Sequence, residues 1–356
     1  MQLDVPFSPD PDYLRFLSRR ADAVESVHVG LQAPGIPDAR YRLENRSSAD
    51  LIESLRRIRG PRRLALLNSR FHPPGAYTDP DALNAVLHRL DALVDASAID
   101  GIVFADPYHL TALSDAGPET AARLDAVPSV NFMIDTADKA EAVMEIIART
   151  RFRMPRRLVL DRGLNRSPEA LSETAARLRA DHPGLRIGLL ANEGCLHRCP
   201  FKPAHDALIA LTHLGRGMDT FELNRRLGCI RYLTERPEAI FRSPFIRPED
   251  LDHYGGVIDF IKVCGRTLGP AFSSRVVRAY LDGAYPGNLL DLLDAPHWMA
   301  DRYYIDNPAL PADFFDQLTG CDGRCDDCRF CERLFARVAR PRADRLEALL
   351  PGHSST

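Results

Sequence analysis

The chain has 356 residues, of which 45% are hydrophobic and 27% charged, and its formal net charge is -3 at pH 7. This composition is that of an ordinary globular protein and excludes intrinsically disordered and collagen-like chains. No stretch approaches the roughly 18 to 20 apolar residues of a membrane span, and the first residues form no leader with a basic and an apolar part, so we expect a cytoplasmic protein without membrane association.

Short apolar runs typical of buried parallel strands recur along the chain and alternate with helical patterns. One such helical pattern is Asp79–Ala96, in which apolar residues follow one another at spacings of three and four. The strands are predicted at Ser26–Leu31, Arg63–Leu67, Gly101–Ala105, Ser129–Met133, Arg157–Leu160, Arg186–Leu190, Ala239–Phe241 and Ile258–Val263.

Eight strand and helix repeats in about 250 residues predict an α/β fold, a (β/α)8 barrel of the TIM type. A doubly wound sheet is the competing fold, but its phosphate-binding first turn has a G-x-G-x-x-G pattern that this sequence lacks. After Leu281 the alternation stops and the sequence becomes rich in Pro, Asp and aromatic residues. We therefore predict a barrel domain over residues 1–285 and a cysteine-rich C-terminal extension over residues 286–356.

Eight cysteines in a cytoplasmic protein favour metal binding or catalysis over disulfides, because intracellular thiols are kept reduced. The first group is Cys195 and Cys199, which follow a predicted strand, with Cys229 further along and Cys264 at the end of the last strand. The loops that follow barrel strands all open on one face, so these thiols can converge there. Four converging thiolates fit a [4Fe-4S] cluster, with a closed zinc site and buried core cysteines as the alternatives.

The second group occupies eleven consecutive positions in the extension, with C-x3-C-x2-C-x2-C spacing. Its members are Cys321, Cys325, Cys328 and Cys331. This tight spacing is characteristic of iron-sulfur loops, and a structural zinc site is the alternative. The sequence thus predicts one or two [4Fe-4S] clusters. The run also contains the C-x3-C-x2-C signature of radical S-adenosylmethionine enzymes, which we reject because that motif follows the first barrel strand, whereas this run follows the whole barrel.

Several segments, in the same order, resemble the peptidase U32 family of collagenase-like peptidases, which also includes oxygen-independent hydroxylases of RNA and ubiquinone precursors. The similarity extends over roughly residues 20–285. The segments that carry it are Ala21–Gly30, Ser129–Met144, Arg157–Leu171, Cys195–Lys202 and Phe245–Thr267. The resemblance implies a barrel with a four-cysteine [4Fe-4S] cluster, and in several hydroxylases prephenate is implicated as the oxygen donor.

Residue by residue, Cys195 and Cys199 match the cysteine pair of the family. Three residues match its Lys-Ile-Glu-Gly-Arg segment: Lys262, Gly265 and Arg266. Cys264 stands where that segment has Glu, and the spacing around the first cysteines is shortened. We therefore interpret the chain as a divergent branch, in which Cys264 is either a relocated fourth ligand or unrelated to the cluster.

The leading functional hypothesis is an iron-sulfur oxidoreductase, a hydroxylase that needs no dioxygen, acting on an anionic small molecule, peptide or RNA. Lys262, Arg266 and Lys202 are the candidate catalytic residues, because their charges can hold carboxylates or phosphates. The alternative for these residues is a role as solvated surface cations or as partners of Glu193 and Asp206.

Two further classes of function stay open at this point. A U32-type peptidase would pair a cysteine with a nearby histidine, and His197, His205 and His213 lie near the first cysteine pair. A non-catalytic electron-transfer or scaffold subunit would pair with a related second barrel chain. RNA is retained as a candidate partner because the stretch Arg226–Pro248 interleaves arginines with aromatic residues.

Overall fold

The computed structural model of the chain describes residues 1–31, 36–37, 46–215 and 219–342. The strands in these ranges are β1 Gln2–Pro6, β2 Val24–Gly30, β3 Arg62–Leu67, β4 Gly101–Phe104, β5 Asp125–Pro128, β6 Arg157–Leu160, β7 Arg186–Leu190, β8 Phe260–Lys262, β9 Tyr303–Ile305 and β10 Ala339–Pro341. The α-helices are α1 Pro11–Ser18, α2 Ser48–Arg56, α3 Gly75–Thr78, α4 Pro80–Asp95, α5 Pro107–Ala116, α6 Pro118–Ala121, α7 Ala137–Ala148, α8 Pro168–Asp181, α9 Lys202–His213, α10 Thr220–Leu227, α11 Cys229–Glu235, α12 Gly269–Asp282, α13 Phe314–Thr319, α14 Cys325–Cys328 and α15 Phe330–Val338. Short 3-10 helices lie at Ala21–Ala23, Val130–Phe132, Arg162–Arg166, Pro237–Arg242, Pro248–Tyr254, Arg266–Leu268, Leu289–Leu292, His297–Asp301 and Asn307–Ala309.

Strands β1 to β8 form one sheet of parallel neighbours in the order β5-β4-β3-β2-β1-β8-β7-β6. The two outer strands meet through the residue Arg153, which precedes β6. Its carbonyl accepts from the amide of Ala126 at 3.0 Å, and its amide donates to the carbonyl of Leu124 at 2.9 Å. These bonds bring the sheet to near closure, and the predicted (β/α)8 barrel is confirmed.

Side chains alternate between the two faces of each strand, because successive residues of a strand point to opposite sides. The outward residues pack against the helices in the main hydrophobic core, as Val5 and Val27 do. The inward apolar residues form two small groups: Leu64, Leu66, Val103 and Val127, and Val159, Leu190 and Phe260. Ionisable side chains occupy further inward positions: Asp4, His28, Arg157 and Lys262. The barrel interior is therefore apolar in part and charged in part.

One strand of the sheet is missing from the prediction, and one predicted strand is not a strand in the structure. Strand β1 was not predicted, because Asp4 interrupts its short apolar run. The predicted strand Ala239–Phe241 was wrong, since these residues belong to the 3-10 helix Pro237–Arg242. All three are buried in a second hydrophobic cluster outside the barrel, so their apolar character reflects burial in that cluster.

The fourth predicted strand is displaced along the chain. The structure has β5 at Asp125–Pro128, directly before the predicted range Ser129–Met133. Ser129 instead begins a 3-10 turn, and its side chain accepts a hydrogen bond from the amide of Asn131 at 3.3 Å. An apolar run alone does not separate a buried turn from the strand that precedes it.

The barrel helices begin as their sequences predict. Helix α4 starts with Pro80 in its first turn, and the side chain of Asp79 accepts from the amide of Asp81 at 3.0 Å. Helix α8 also starts with a proline, but the side chain of Ser167 makes no capping hydrogen bond. In the part of the chain that the structure describes, no helix combines the length and the apolar character needed to cross a lipid bilayer.

The C-terminal extension packs on the barrel through a second hydrophobic cluster. This cluster joins residues 289–338 to residues 233–245, and it includes the ring pair Phe241 and Phe314. The extension also contacts the end of β7 directly. The amide of Asp294 donates to the carbonyl of Asn192 at 2.9 Å, and the amide of Ala295 donates to that of Glu193 at 2.8 Å. The extension therefore forms one wall of the barrel mouth.

Candidate active site at the mouth of the barrel

A network of four charged or titratable side chains lies inside the barrel. Asp4 on β1 and Lys262 on β8 are register partners, and the Lys262 Nζ lies 2.9 Å from Asp4 Oδ2. His28 on β2 places its Nδ1 2.9 Å from Asp4 Oδ1. Arg157, at the start of β6, donates to Asp4 Oδ2 at 2.9 Å. One buried carboxylate thus holds two cations and an imidazole at the centre of the ring.

The electrostatics of this network favour a charged Asp4 and a neutral His28. Burial alone would raise the pKa of Asp4, but the charges of Arg157 and Lys262 and the contact with His28 hold that pKa well below its usual range. Burial, followed by the charge of Lys262, lowers the pKa of His28 to about 4, against the opposing effect of Asp4. Burial also lowers the pKa of Lys262, which the nearby Asp4 partly offsets.

Lys262 and Asp4 both contact the same ring nitrogen of His28. The Lys262 Nζ lies 2.9 Å from His28 Nδ1, the same atom that faces Asp4. When Nδ1 carries the proton it donates to Asp4, and when it does not it accepts from the ammonium group of Lys262. The pair is therefore suited to accept or release a proton at the floor of a cavity.

A second ion cluster lies at the start of α9. The Nζ of Lys202 is 2.5 Å from Asp206 Oδ1, and Arg70 Nε is 3.0 Å from Asp206 Oδ2. Burial lowers the pKa of Lys202, and the charge of Arg162 lowers it further, while Asp206 opposes the shift. Burial raises the pKa of Asp206, but Lys202 and Arg70 together bring it below its usual value.

A cavity of about 110 Å³ joins the two ion clusters at the barrel mouth. All three cations predicted to be catalytic line it: Lys262, Arg266 and Lys202. Lys262 and Lys202 are not solvated surface cations, because each is paired with a buried carboxylate. Of the two acidic partners expected for them, Asp206 does pair with Lys202, whereas Glu193 pairs with Arg162.

The first cysteine group lies at the same end of the barrel. Cys195 and Cys264 line the cavity described above, and Cys195, Cys199 and Cys229 line a neighbouring cavity of about 200 Å³. Cys195 belongs to both, so it connects the two spaces. Burial, followed by the charge of Cys199, raises the pKa of Cys229 to about 11. Residues that are 69 positions apart in the chain thus meet at one mouth.

Asn192 holds Cys264 in place. Its Oδ1 accepts from the amide of Cys264 at 2.7 Å, and its Nδ2 donates to the carbonyl of Cys264 at 3.1 Å and to that of Leu292 at 2.9 Å. Asn192 has no exposed surface. This residue, like Asp4, His28 and Arg157, was not identified from the sequence as part of the site.

The donor set fits an iron-sulfur cluster in its chemistry, because thiolates are the ligands that such a cluster takes. Four thiols line two joined cavities, and a [4Fe-4S] cluster takes one thiolate at each of its four irons. Within the described residues, no three His, Cys, Asp or Glu side chains stand close enough together to hold a single metal ion.

The second cysteine group lies on the extension, over α14 and the start of α15. Burial, followed by the charge of Cys321, raises the pKa of Cys331 to about 11, against the opposing charge of Arg166. Cys328 is exposed. Cys321 also lines a third cavity, whose other side is formed by residues 196–198, between Cys195 and Cys199. Cys321 therefore lies across this cavity from the turn between Cys195 and Cys199.

A further titratable cluster follows β3 and β4. His72 Nδ1 lies 3.0 Å from Asp106 Oδ2, and the hydroxyl of Tyr77 donates to the same oxygen at 2.7 Å. The ring of His109 stacks on that of His72 with centroids 3.9 Å apart. Burial, and then the charge of His72, lower the pKa of His109 to about 3. His72, Asp106 and His109 are buried, and the cluster lines none of the three cavities described above.

The chain is 29% identical over 246 residues to an uncharacterized protease, MJ1657, of Methanocaldococcus jannaschii, a match that covers 68% of this chain and 67% of the relative. Among solved structures it is similar to the U32 peptidase Mk0906, with a TM-score of 0.49 and 18% identity over 74% of this chain and 92% of that one. The chain matches no protein-family model. The curated relative is named as a protease, and the solved structure is named as a U32 peptidase.

Proposed function

We propose that this divergent chain of the peptidase U32 family is an iron-sulfur oxidoreductase that modifies a small anionic molecule at the barrel mouth. The observation that carries the proposal is the placement of Cys195, which lines both the cavity of Lys262 and Cys264 and the cavity of Cys199 and Cys229. In this proposal the cavity of Cys199 and Cys229 holds the cofactor and the cavity of Lys262 holds the substrate. Cys195 lies between the two.

In this proposal, four thiolates hold the cluster: Cys195, Cys199, Cys229 and Cys264. When bound, a [4Fe-4S] cluster supplies one-electron oxidation and reduction. Asn192 fixes the backbone of Cys264 through two hydrogen bonds, and its Oδ1 lies 3.5 Å from the Cys264 thiol, so Cys264 is held at the mouth. Because its own pKa is raised by burial, the thiol of Cys229 loses its proton only when a metal compensates the thiolate charge.

The cations of the first cavity orient the substrate and move protons. Arg266 and Lys202 attract a carboxylate or phosphate to the cavity, where the low local dielectric strengthens the attraction. Lys262 and His28 exchange one proton at His28 Nδ1, with Asp4 keeping its negative charge throughout. A cavity of about 110 Å³ admits a small molecule or one side chain, and it favours these over a folded RNA.

A U32-type peptidase is the second candidate. The relative from Methanocaldococcus jannaschii is named as a protease, and His205 lines the same two cavities as Cys195. Thiol and imidazole are the pair used in nucleophilic thiol catalysis. A Cys195 that ligates iron is not available as a nucleophile, so the two functions exclude each other at this residue.

The experiment that separates them uses anaerobically purified protein and Cys195→Ala. An oxidoreductase gives an electron paramagnetic resonance signal of a reduced cluster after treatment with dithionite, and Cys195→Ala weakens or abolishes it. A peptidase cleaves casein as the metal-free protein, and Cys195→Ala abolishes cleavage. Cleavage by metal-free protein together with a silent resonance spectrum would refute the oxidoreductase.

We also propose a second metal centre at Cys321, Cys325, Cys328 and Cys331, either a second [4Fe-4S] cluster or zinc. The C-x3-C-x2-C-x2-C spacing of these residues supports it. A metal there stabilises an extension whose last helices, α14 and α15, are short. If both centres hold iron, the space between them suits electron transfer, within one chain or to a related second barrel chain.

A further inference from the structure

The third cavity lies outside the barrel and is the largest of the three, at about 590 Å³. One side is the turn that carries His197 and Arg198, between the first two cysteines, and the opposite side is the segment from Leu318 to Gly323 in the extension. Its volume is in the range of small-molecule sites in proteins. The cavity is separate from the charged cavity of the barrel mouth, with which it shares no lining residue.

Three arginines line this cavity: Arg166, Arg198 and Arg242. None of them forms an ion pair with a carboxylate among the described residues, and this sets them apart from the barrel cations, such as Arg157 and Arg162, which are paired with Asp4 and Glu193. Two carboxylates also line the cavity, Glu169 and Asp322, but Asp322 is paired with Arg324 at 3.7 Å. The lining therefore carries an excess of positive charge.

Two of the arginines are held by neutral partners. Arg166 donates from Nε and one terminal nitrogen to the carbonyl of Leu318, at 3.2 and 2.6 Å, and from the other terminal nitrogen to the carbonyl of Arg242 at 2.6 Å. Arg242 donates to the hydroxyl of Tyr232 at 3.0 Å. Carbonyl and hydroxyl groups are uncharged, so both guanidinium groups keep their net positive charge at the cavity lining.

The third arginine is exposed and sits on strained backbone. Arg198 has φ +49°, in the left-handed region that is uncommon for residues other than glycine. Such a conformation costs free energy. Arg198 lies in the turn between Cys195 and Cys199 and forms part of the cavity wall. Leu196, Phe201 and Tyr232 supply an apolar part of the same lining.

We propose that this cavity binds a small oxyanion ligand, a phosphate or carboxylate carried on a ring-sized apolar body. The three guanidinium groups receive the oxyanion, because arginine matches the geometry of both groups through paired N–H donors. The ring lies against Phe201 and Tyr232. This ligand is distinct from the substrate at the barrel mouth, and its binding does not require that the cysteines hold iron.

The test is isothermal titration calorimetry on the full chain as purified, with phenyl phosphate, benzoate and uncharged phenol as probes. We expect phenyl phosphate or benzoate to bind and phenol not to bind, and the stronger of the two identifies the oxyanion. Arg198→Ala weakens binding about fivefold or more, and Arg198→Lys weakens it less, because the charge is retained. Arg177→Ala, at an exposed arginine of α8, is the matched control and leaves affinity unchanged.

The proposal is overturned if no anionic probe binds at millimolar concentration, or if phenol binds as tightly as benzoate. It is also overturned if binding is unchanged in both Arg198→Ala and Arg242→Gln. Far-ultraviolet circular dichroism verifies that each variant is folded. Since binding is measured without any redox assay, failure of this proposal leaves the iron-sulfur proposal intact, and the reverse also holds.

Discussion

The ammonium nitrogen of Lys262 lies 2.9 Å from Nδ1 of His28, inside a ring of eight parallel strands. Both residues contact the carboxylate of Asp4, which also binds Arg157. Through these contacts Asp4, on β1, connects the neighbouring strands β2 and β8. It also connects them to β6 on another side of the ring. The proposed chemistry and the stability of the barrel therefore depend on the same side chain.

Removal of the Lys262 charge should raise the pKa of His28. We expect Lys262→Met to move the midpoint of the His28 ring titration above its value of about 4, because the nearby ammonium charge contributes to that low pKa while Asp4 favours the imidazolium. The measurement is a pH titration of histidine ring protons by nuclear magnetic resonance. Lys139→Met, at an exposed lysine of α7, is the control, and an unshifted His28 midpoint in Lys262→Met would contradict the network.

Asp4→Asn should be among the most destabilising single substitutions in the barrel. It leaves Arg157 and Lys262 buried without their carboxylate, and breaking a buried ion pair in this way costs about 3 to 5 kcal/mol of unfolding free energy. Urea denaturation measures the change. Asp12→Asn removes an exposed carboxylate paired with Arg15 and should cost about 0 to 1 kcal/mol. Equal effects of the two substitutions would refute the role of Asp4.

Stability should fall as the pH drops from 6.5 toward 4. The folded chain keeps His28 and His109 neutral, with pKa values lowered to about 4 and about 3, whereas the unfolded chain protonates them near 6.5. The unfolded state therefore binds more protons in this window, so stability is fully present above pH 6.5 and is lost below it, by about 1.4 kcal/mol per pH unit for each histidine. The lowered pKa of Asp4 affects stability only at lower pH, below the pKa of about 3.8 that this carboxyl has in the unfolded chain.

One variant isolates the contribution of His109 to the pH dependence of the unfolding free energy. His109→Phe removes the titrating ring and should flatten the plot of unfolding free energy against pH between 6.5 and 4 by the contribution of one histidine. His88→Phe, at an exposed histidine of α4, should keep the wild-type slope. Identical slopes in His109→Phe and wild type would show that the buried ring takes up no proton on unfolding.

Arg166 should attach the extension to the barrel. Arg166→Ala deletes the hydrogen bonds to the carbonyls of Leu318 and Arg242 and leaves those carbonyls unsatisfied, at a cost of about 1 to 3 kcal/mol. We expect faster amide hydrogen exchange in α13, measured by mass spectrometry. Arg333→Ala, at an exposed arginine of α15, should leave exchange in α13 unchanged. Unchanged exchange in Arg166→Ala would place the attachment elsewhere.

Much of the barrel could be predicted from the sequence, because strands buried on both faces leave continuous apolar runs. The prediction failed where a buried segment is not a strand and where a strand contains a charged residue. Ala239–Phe241 is fully buried but lies in a 3-10 helix, and β1 is a strand whose apolar run is broken by Asp4. The role of Asp4 cannot be recognised from the residues next to it, because its partners Lys262 and Arg157 lie far away in the sequence.

The site was predictable where a side chain follows a strand. Cys195 and Cys199 come directly after β7, and Lys262 ends β8, so their position at the mouth follows from the geometry of parallel strands. Asn192 and His28 could not be identified in this way. Each acquires its role only through contacts made in three dimensions, with Cys264 and with Lys262.

The most direct test of the central claim is the iron and sulfide content of anaerobically purified wild type, Cys195→Ser and Cys325→Ser. We predict that Cys195→Ser loses about four irons and four sulfides relative to wild type, whereas Cys325→Ser keeps those and loses only what the extension binds. Iron and sulfide that are unaffected by Cys195→Ser, or a wild type that contains zinc and no sulfide, would contradict the proposed cluster at the barrel mouth.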